Sequence, residues 1–375
     1  MSQIKVNAVT DASGGNTATI NSMTPTADSL QGFRNRLING SMMIDQRNAG
    51  ASVTPSNSYT LDRWVTYSTQ ASKFTVQRNA GSVTPPTGFT NYLGVTSSSA
   101  YSITSSDYFS IVQRIEGYNV SDLGFGSASA TTVTISFWVR SSLTGTFGGN
   151  LTNSAFDRSY PFSYTISTAN TWEKKTITAT GDTTGTWLTT TGSGLELQFG
   201  LGVGSTYSGT AGAWTAGWIP SVTGAVSVVG TNGATWYITG VQLEVGSVAT
   251  PFERRDYGRE LAMCQRYFIV LANGATHLSS YWSNACYYTS TEIYGTINLP
   301  VTMRTTPTTG CTTGTNYYTF YRNGGTDGIN SITFIYSNPQ NLTWNNTAQA
   351  SGTAGQAGQI DVSTSSSFIA ASAEL

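Results

Sequence analysis

Short runs with a period of two dominate the pattern of hydrophobic and polar positions between residues 37 and 252. In the stretch TVTISFWVR, Val133, Ile135, Phe137 and Val139 alternate with Thr, Ser, Trp and Arg, and GLELQFGLGV alternates in the same way. Such alternation is typical of antiparallel strands that bury one face. Turns rich in Gly, Ser and Thr separate the runs, with no helical pattern between them. We therefore predict an all-β fold, with a jelly-roll β-sandwich over residues 37–252.

One segment departs from this pattern and shows a helical spacing with a concentration of charge. In residues 253–268, the side chains of Tyr257, Leu261, Cys264 and Phe268 recur at i, i+4, i+7 and i+11. This spacing predicts one apolar stripe on a connecting helix of about four turns. The Arg and Glu residues of the segment lie mostly off the stripe. A helix this short is marginal alone, so we expect the stripe to pack against a partner surface.

The ends of the chain have different characters. Residues 1–36 are small and polar, which predicts an attachment segment rather than a domain. Residues 269–375 contain further strand-like runs, such as EIYGTINL, NYYTFYR and SITFIYS, and predict a second β-domain. The sequence thus predicts four regions, which are an attachment segment, a jelly roll, a connecting helix and a distal β-domain.

Composition and charge exclude several functional classes. Charged residues make up 10% of the chain and the net charge is −1, so the basic surface that nucleic-acid binding needs is absent. Gly, Ser and Thr interrupt the uncharged stretches, which excludes membrane insertion, and the N-terminus shows no apolar signal-peptide core. With 20 Tyr, 15 Phe and 9 Trp, the chain has ample side chains for packed cores.

The residues needed for common catalytic and metal sites are scarce. His277 is the one histidine, no G-x-S-x-G motif accompanies it, and the three cysteines are scattered. Paired carboxylates stay possible, since 19 acidic residues are present, but nothing singles out a pair. We expect no catalytic residues, no metal and no required cofactor.

Aromatic residues are the best candidates for binding. Trp138 lies on the polar face of its strand, where it is either a subunit or domain contact or a sugar-stacking platform. A loop adds Tyr207, Trp214 and Trp218 to this alternative glycan platform. In the distal domain, where some aromatics must instead belong to the core, the receptor-binding candidates are Tyr281, Trp282, Tyr287, Tyr288, Tyr317 and Trp344.

Three stretches resemble virion proteins of tailed bacteriophages. GFRNRLINGSMMIDQRNAG with YTLDRW resembles the opening of a tail-fibre module, and WYITGVQLEVGSVATPFERRDYGRELAMCQRYF resembles its end. LPVTMRTTPT is similar to a motif in the distal domain of such fibres. Through ISFWVRSS and WYITGVQLE, the central module also resembles carbohydrate-binding jelly rolls.

The resemblance implies a structural protein of the virion, a homotrimeric tail-fibre subunit assembled in the cytoplasm of the host bacterium. Its N-terminus would bind other tail or baseplate proteins, and its distal domain would attach to a glycan or protein on the host surface. In a trimer, Tyr257, Leu261, Cys264 and Phe268 would meet their copies, whereas the alternative is a helix packed on its own β-sandwich. Two other functions stay open, a tailspike that depolymerises polysaccharide and a purely structural tail or capsid-surface fibre.

Overall fold

The computed structural model describes residues 33–375, so positions 1–32 of the predicted attachment segment lie outside the described residues. This part of the chain consists of β-strands and turns with one α-helix, which confirms the all-β prediction. Two compact units are distinguished. The first comprises the described residues up to Met43, Gly50–Thr60 and Trp64–Arg255, and the second comprises Ile44–Ala49, Leu61–Arg63 and Asp256–Leu375.

The first unit contains the strands from β1 to β14, except for Leu61 at the end of β1, which belongs to the second unit. They are β1 (Tyr59–Leu61), β2 (Trp64–Ser68), β3 (Phe74–Arg78), β4 (Leu93–Ser97), β5 (Tyr108–Glu116), β6 (Val133–Ser141), β7 (Gly145–Thr152), β8 (Arg158–Ile166), β9 (Glu173–Ala179), β10 (Ser193–Val203), β11 (Ser208–Gly209), β12 (Thr215–Ala216), β13 (Ser221–Val222) and β14 (Thr235–Val245). Short 3-10 turns span Ala80–Ser82, Gly117–Asn119, Ser121–Leu123 and Ser205–Tyr207.

Two large sheets build this unit, and β11 and β13 form a third sheet of two parallel strands. One has seven strands in the order β1-β2-β5-β10-β7-β8-β12, and the other has five in the order β3-β4-β14-β6-β9. The ring of Phe137 in β6 lies 5.0 Å from that of Phe199 in β10 and 5.1 Å from that of Tyr164 in β8, so the sheets pack face to face. The chain crosses repeatedly between them, which is consistent with the predicted jelly roll. Val133, Ile135, Phe137 and Val139 are fully buried, as their alternation predicted.

The second unit contains the remaining strands and the helix. The strands are β15 (Phe268–Asn273), β16 (Tyr281–Thr289), β17 (Glu292–Asn298), β18 (Thr308–Cys311), β19 (Tyr318–Arg322), β20 (Gly325–Ile329), β21 (Thr333–Ser337), β22 (Asn341–Asn346), β23 (Ala357–Val362) and β24 (Phe368–Ser372). A seven-stranded sheet has the order β20-β19-β23-β16-β17-β22-β21, and a three-stranded sheet has the order β15-β24-β18. Their core includes Tyr287, Tyr318, Phe320, Trp344 and Ile360.

Two arginines tie the short segments 44–49 and 61–63 into the second unit. Arg63 forms an ion pair with Glu374, and its guanidinium lies 3.6 Å from the ring centre of Tyr267. Arg47 pairs with the same carboxylate at 2.8 Å and lies 3.6 Å from the ring centre of Phe268. A planar guanidinium can make both contacts at once. The predicted boundaries had assigned these segments to the sandwich.

The helix is shorter than predicted at both ends. It spans Tyr257–Gln265, because the Asp256 carboxylate accepts a hydrogen bond from the Arg259 amide and caps the first turn. At the other end, the Ala373 amide donates to the Tyr267 carbonyl at 2.7 Å and draws the chain into β15. Phe268 therefore belongs to a strand, so its place on the helical stripe was wrong. Of the other stripe residues, Cys264 is buried, Leu261 is half-buried and Tyr257 is 58% exposed.

Candidate functional site

Five half-buried aromatic side chains cluster on the outer face of the seven-stranded sheet of the first unit. Phe109 and Phe199 point from this sheet into the core, so their neighbours on the same strands point away from it. We call the cluster the aromatic platform, and its members are Tyr67, Tyr108, Phe156, Tyr207 and Trp218.

Trp218 lies at the centre of the aromatic platform. Its ring centre is 4.7 Å from that of Tyr108, 5.2 Å from Phe156, 5.3 Å from Tyr207 and 6.3 Å from Tyr67. These distances and the edge-on or tilted ring planes are those of favourable aromatic pairs. None of these pairs is stacked face to face, and all five side chains remain partly exposed.

Two loops bring Trp218 and Phe156 together. Gly217 donates its amide to the Asp157 carbonyl at 2.8 Å, and its own carbonyl accepts from the Ser159 hydroxyl at 2.8 Å. Gly217 has a φ of 84°, a conformation that favours glycine. These two hydrogen bonds fasten the residue after β12 to the turn between β7 and β8 and to β8 itself, and so fix the next side chain, Trp218.

A hydrogen-bonded network of polar side chains lies beside the rings. Glu196 accepts from the Tyr67 hydroxyl at 3.0 Å and from Gln198 Nε2 at 3.1 Å. Arg114 Nε donates to the Tyr67 hydroxyl at 2.8 Å and pairs with the other Glu196 oxygen at 3.3 Å. The Trp218 indole N–H donates to Gln198 Oε1 at 3.2 Å. The network therefore joins the ring at the centre of the platform to an ion pair in which Glu196 is buried and Arg114 is partly exposed.

Burial sets the protonation of this network. It raises the pKa of Glu196, although the nearby Arg114 and the hydrogen bonds partly offset the effect. It also raises the pKa of Tyr67, and the Glu196 carboxylate adds to the increase. The Tyr67 hydroxyl therefore keeps its proton at neutral pH and remains a hydrogen-bond donor.

Two buried polar atoms on the same sheet face have no hydrogen-bond partner among residues 33–375. These are the Ser110 hydroxyl oxygen and Asn150 Oδ1. Ser110 lies opposite Tyr67 in the pairing of β2 with β5, and Asn150 lies opposite Gln198 in the pairing of β7 with β10. An unsatisfied buried polar atom costs free energy.

One carboxylate lies at the start of β5, next to the platform. Asp107, which precedes Tyr108, accepts hydrogen bonds from the Thr69 hydroxyl at 2.7 Å, the Tyr101 hydroxyl at 2.9 Å and the Thr104 amide at 2.9 Å. Burial alone would raise the pKa of Asp107, but these hydrogen bonds outweigh it and lower the pKa to about 2.

The structure brings together only part of the predicted glycan platform. Tyr207 and Trp218 meet, whereas Trp214 lies in a different cluster with Tyr160 at 5.3 Å and Trp187 at 5.3 Å. Trp138 lies on the five-stranded sheet, on the other side of the sandwich.

Two receptor-binding candidates of the distal domain belong to the core of the second unit. Trp344 and Tyr287 are fully buried, which leaves neither side chain available to a receptor. Trp282 packs against that core, with its ring centre 5.2 Å from that of Trp344. The alternation in LTWNN, which places Trp344 on the same face as Leu342, was a signal for this burial.

The other candidates in the second unit reach the surface. Tyr281 is 54% exposed and Tyr288 is 69% exposed, and both project from the seven-stranded sheet of that unit. Tyr317 is half-buried against the core. The ring of Tyr281 contacts Tyr321 at 5.6 Å and that of Tyr288 contacts Tyr294 at 5.2 Å, so these two candidates form separate aromatic pairs.

His277 lies in an exposed turn, where its Nδ1 is 2.8 Å from the Thr276 hydroxyl. Over residues 33–375, no three His, Cys, Asp or Glu side chains gather closely enough to hold a metal ion. Within the same range, no helix has the length and apolar character needed to cross a membrane.

Comparison with known proteins gives likenesses to solved structures. No family model and no curated protein matches the chain. The enzymatically active domain of tailspike protein 4 from bacteriophage CBA120 is similar over 58% of this chain and 22% of that chain, with 11% identity and a TM-score of 0.33. A putative sugar-binding protein from Bacteroides thetaiotaomicron covers 57% of this chain and 100% of its own, with 12% identity and a TM-score of 0.34.

The carbohydrate-binding module TmCBM61, whose structure contains β-1,4-galactotriose, is similar over 57% of this chain and 99% of its own. Its identity is 9% and its TM-score is 0.29. At TM-scores below 0.5, these likenesses establish neither a shared fold nor a shared function.

Proposed function

We propose that this chain is a glycan-binding adhesion protein, and that the aromatic platform of its β-sandwich binds the saccharide. One observation carries the proposal. The half-exposed rings of the aromatic platform lie beside a fixed network of hydrogen-bonded polar side chains. Aromatic faces suit the apolar C–H face of a sugar ring, and a few well-placed polar groups fix its orientation.

The polar network is held in place before any ligand arrives. Glu196 and Gln198 are buried and hydrogen-bonded to each other, so little side-chain freedom is left to lose on binding. The Arg114 side chain is partly exposed while its Nε stays bonded to Tyr67.

We further propose that the chain acts as a tail-fibre subunit in a tailed-phage virion. The support is the resemblance of its ordered motifs to such fibres. In this proposal three chains form a homotrimer, the N-terminal segment binds other tail or baseplate proteins, and the chain is assembled in the bacterial cytoplasm. Its task is adsorption rather than catalysis. The second unit, with the exposed Tyr281 and Tyr288, would add a contact with the host surface.

Competition for host cells tests this role. Purified full-length protein should block adsorption of virions that carry it. The Trp218→Ala variant should need at least about tenfold more protein for the same block, since that ring contacts every other member of the platform. Antibody labelling of virions supplies the second readout. Failure of the protein to block adsorption, or its absence from the tail, would overturn the tail-fibre role.

A further inference from the structure

A groove with a volume of about 240 Å³ lies on the outer face of the five-stranded sheet, opposite the sheet that bears the aromatic platform. The residues that matter for its chemistry are Phe89, Ser136, Trp138, Lys174, Phe252 and Arg254. Ligand sites for drug-sized molecules usually measure roughly 300–1,000 Å³. This groove is therefore suited to about one sugar ring rather than to a long chain.

Trp138 supplies an aromatic ring to the groove. Its strand neighbours Phe137 and Val139 are fully buried, so its own side chain points to the outer face, where it is half-exposed. Seven of the other eight tryptophans donate the indole N–H to a protein acceptor. The Trp138 side chain makes no hydrogen bond or ring contact with any residue in the described part of the chain. Both its face and its N–H group are thus free for a ligand.

A bulge in β14 shapes the wall of the groove. The pairing of β14 with β6 shifts between Thr239 and Gln242, and Gly240 within this bulge has a φ of 61°. A Cβ at Gly240 would lie 2.6 Å from the Phe89 ring, so the absence of a side chain lets that ring settle against the backbone. Phe252 packs edge-on against Phe89 with the ring centres 5.2 Å apart.

Two cations border the groove. Lys174 lies directly opposite Trp138 in the pairing of β6 with β9. The guanidinium carbon of Arg254 is 4.8 Å from the ring centre of Phe89, a cation–π contact that restrains it beside the groove. Both side chains are exposed.

No carboxylate among residues 33–375 pairs with either cation. The acidic residues next to them in sequence are engaged elsewhere. Glu173 binds Lys175 at 2.6 Å and accepts from two backbone amides, and Glu253 pairs with Arg255 at 3.3 Å. The groove therefore presents positive charge next to an aromatic face.

We infer that this groove is a second binding site and that it takes a sugar ring carrying a carboxylate. The ring would stack on Trp138, and its carboxylate would pair with Lys174 and Arg254. Aromatic stacking selects a ring, and the two cations select an anion, because charge-assisted hydrogen bonds are stronger than neutral ones. The site shares no residue with the aromatic platform and does not rest on the function proposed for it.

Ligand-observed NMR titration of the full-length chain tests the inference with three small molecules. Glucuronate carries both the ring and the charge, its methyl ester keeps the ring without the charge, and acetate keeps the charge without the ring. We expect glucuronate to bind at millimolar concentrations, and the other two to bind at least about tenfold more weakly.

Surface substitutions locate the binding. Trp138→Ala, Lys174→Gln and Arg254→Gln should each weaken glucuronate binding by about threefold to tenfold or more. Lys175→Gln is the matched control, since Lys175 is adjacent in sequence but is paired with Glu173, and it should leave the affinity unchanged. Unchanged circular dichroism and thermal melting would show that the variants fold.

Three results would overturn the inference. These are no glucuronate binding up to tens of millimolar (roughly the weakest affinity expected of a single sugar ring), equal binding of acetate, and full affinity in the Trp138→Ala variant. Equal binding of the methyl ester would contradict the assignment of a carboxylate. The aromatic platform is intact in every variant, so failure here leaves the proposed function untouched.

Discussion

Replacing Asp107 by Asn should destabilise the end of the sandwich that carries the platform. The Asp107 carboxylate is 3% exposed and accepts hydrogen bonds from Thr69, Tyr101 and Thr104. Its backbone carbonyl also accepts from the Gly204 amide at 2.8 Å, just before the turn that carries Tyr207. An asparagine side chain has one acceptor oxygen where aspartate has two. Its NH2 group would place two donors against the groups that now donate to the Asp107 carboxylate.

The size of the effect follows from the lowered pKa of Asp107. The difference between 3.8, its ordinary value, and about 2 corresponds to up to about 2.4 kcal/mol of unfolding free energy. Because the folded-state pKa is the lower one, this stability is fully present above pH 3.8 and is lost as the pH falls toward 2. The deficit of Asp107→Asn should therefore be about 2 kcal/mol at pH 7 and shrink toward pH 2.

Urea unfolding at pH 7 and at pH 2.5 measures this deficit. Pulse-labelling hydrogen exchange of peptides from β5 would assign the transition to the first unit, and peptides from the second unit serve as an internal reference. Asp122→Asn is the control, since that carboxylate is 50% exposed in its pair with Arg36. This substitution should lower the unfolding free energy by less than about 1 kcal/mol. A deficit under 0.5 kcal/mol at pH 7 (roughly the scatter of ordinary surface substitutions), or one of equal size at both pH values, would refute the reasoning.

Other predictions concern packing and assembly. Trp344→Ala should lower the unfolding free energy by about 3–5 kcal/mol in urea melts, whereas Tyr336→Ala, at an exposed position, should stay within about 0.5 kcal/mol. Leu261→Asp should dissociate the proposed homotrimer in sedimentation velocity, and a monomeric wild type or an unchanged oligomer would contradict it. Gly240→Ala should weaken glucuronate binding at the Trp138 groove, because the new methyl group displaces Phe89.

Strand alternation predicted much of the sandwich, because a strand that buries one face has hydrophobic residues at every second position. Val133, Ile135, Phe137 and Val139 are buried as expected. The same alternation is present in LTWNN, where Trp344 shares a face with Leu342. Trp344 was nevertheless predicted to bind a receptor because of its aromatic character alone. The helix boundary was also readable, since Asp256 is a good N-cap residue.

The site itself was only partly predictable. Glu196 and Gln198 lie on the polar face of β10, yet both are buried. Their burial depends on Trp218 and on the loop that carries it across the sheet, and a pattern of period two contains no information about that loop. Tyr67 and Phe156 come from distant strands and turns, so nothing local connects them with Trp218.

The motifs that carry the phage resemblance have a structural explanation that sequence reading could not supply. Arg47 from DQRNAG, Arg63 from YTLDRW, and Tyr267 and Phe268 from CQRYF meet around one carboxylate, Glu374. These stretches are far apart in the chain, and only the fold brings them into one cluster. Their role in the described structure is packing within the second unit.

Calorimetric titration with a bacterial surface oligosaccharide tests the central claim most directly. A glycan array probed with the full-length chain selects the ligand, and the wild type is compared with Trp218→Ala and Trp214→Ala. Both variants remove a half-buried tryptophan from the same loop, but only Trp218 belongs to the aromatic platform. The account predicts that Trp214→Ala keeps the wild-type affinity and that Trp218→Ala loses at least about tenfold. Equal affinity of Trp218→Ala and the wild type, or no glycan bound at all, would contradict it.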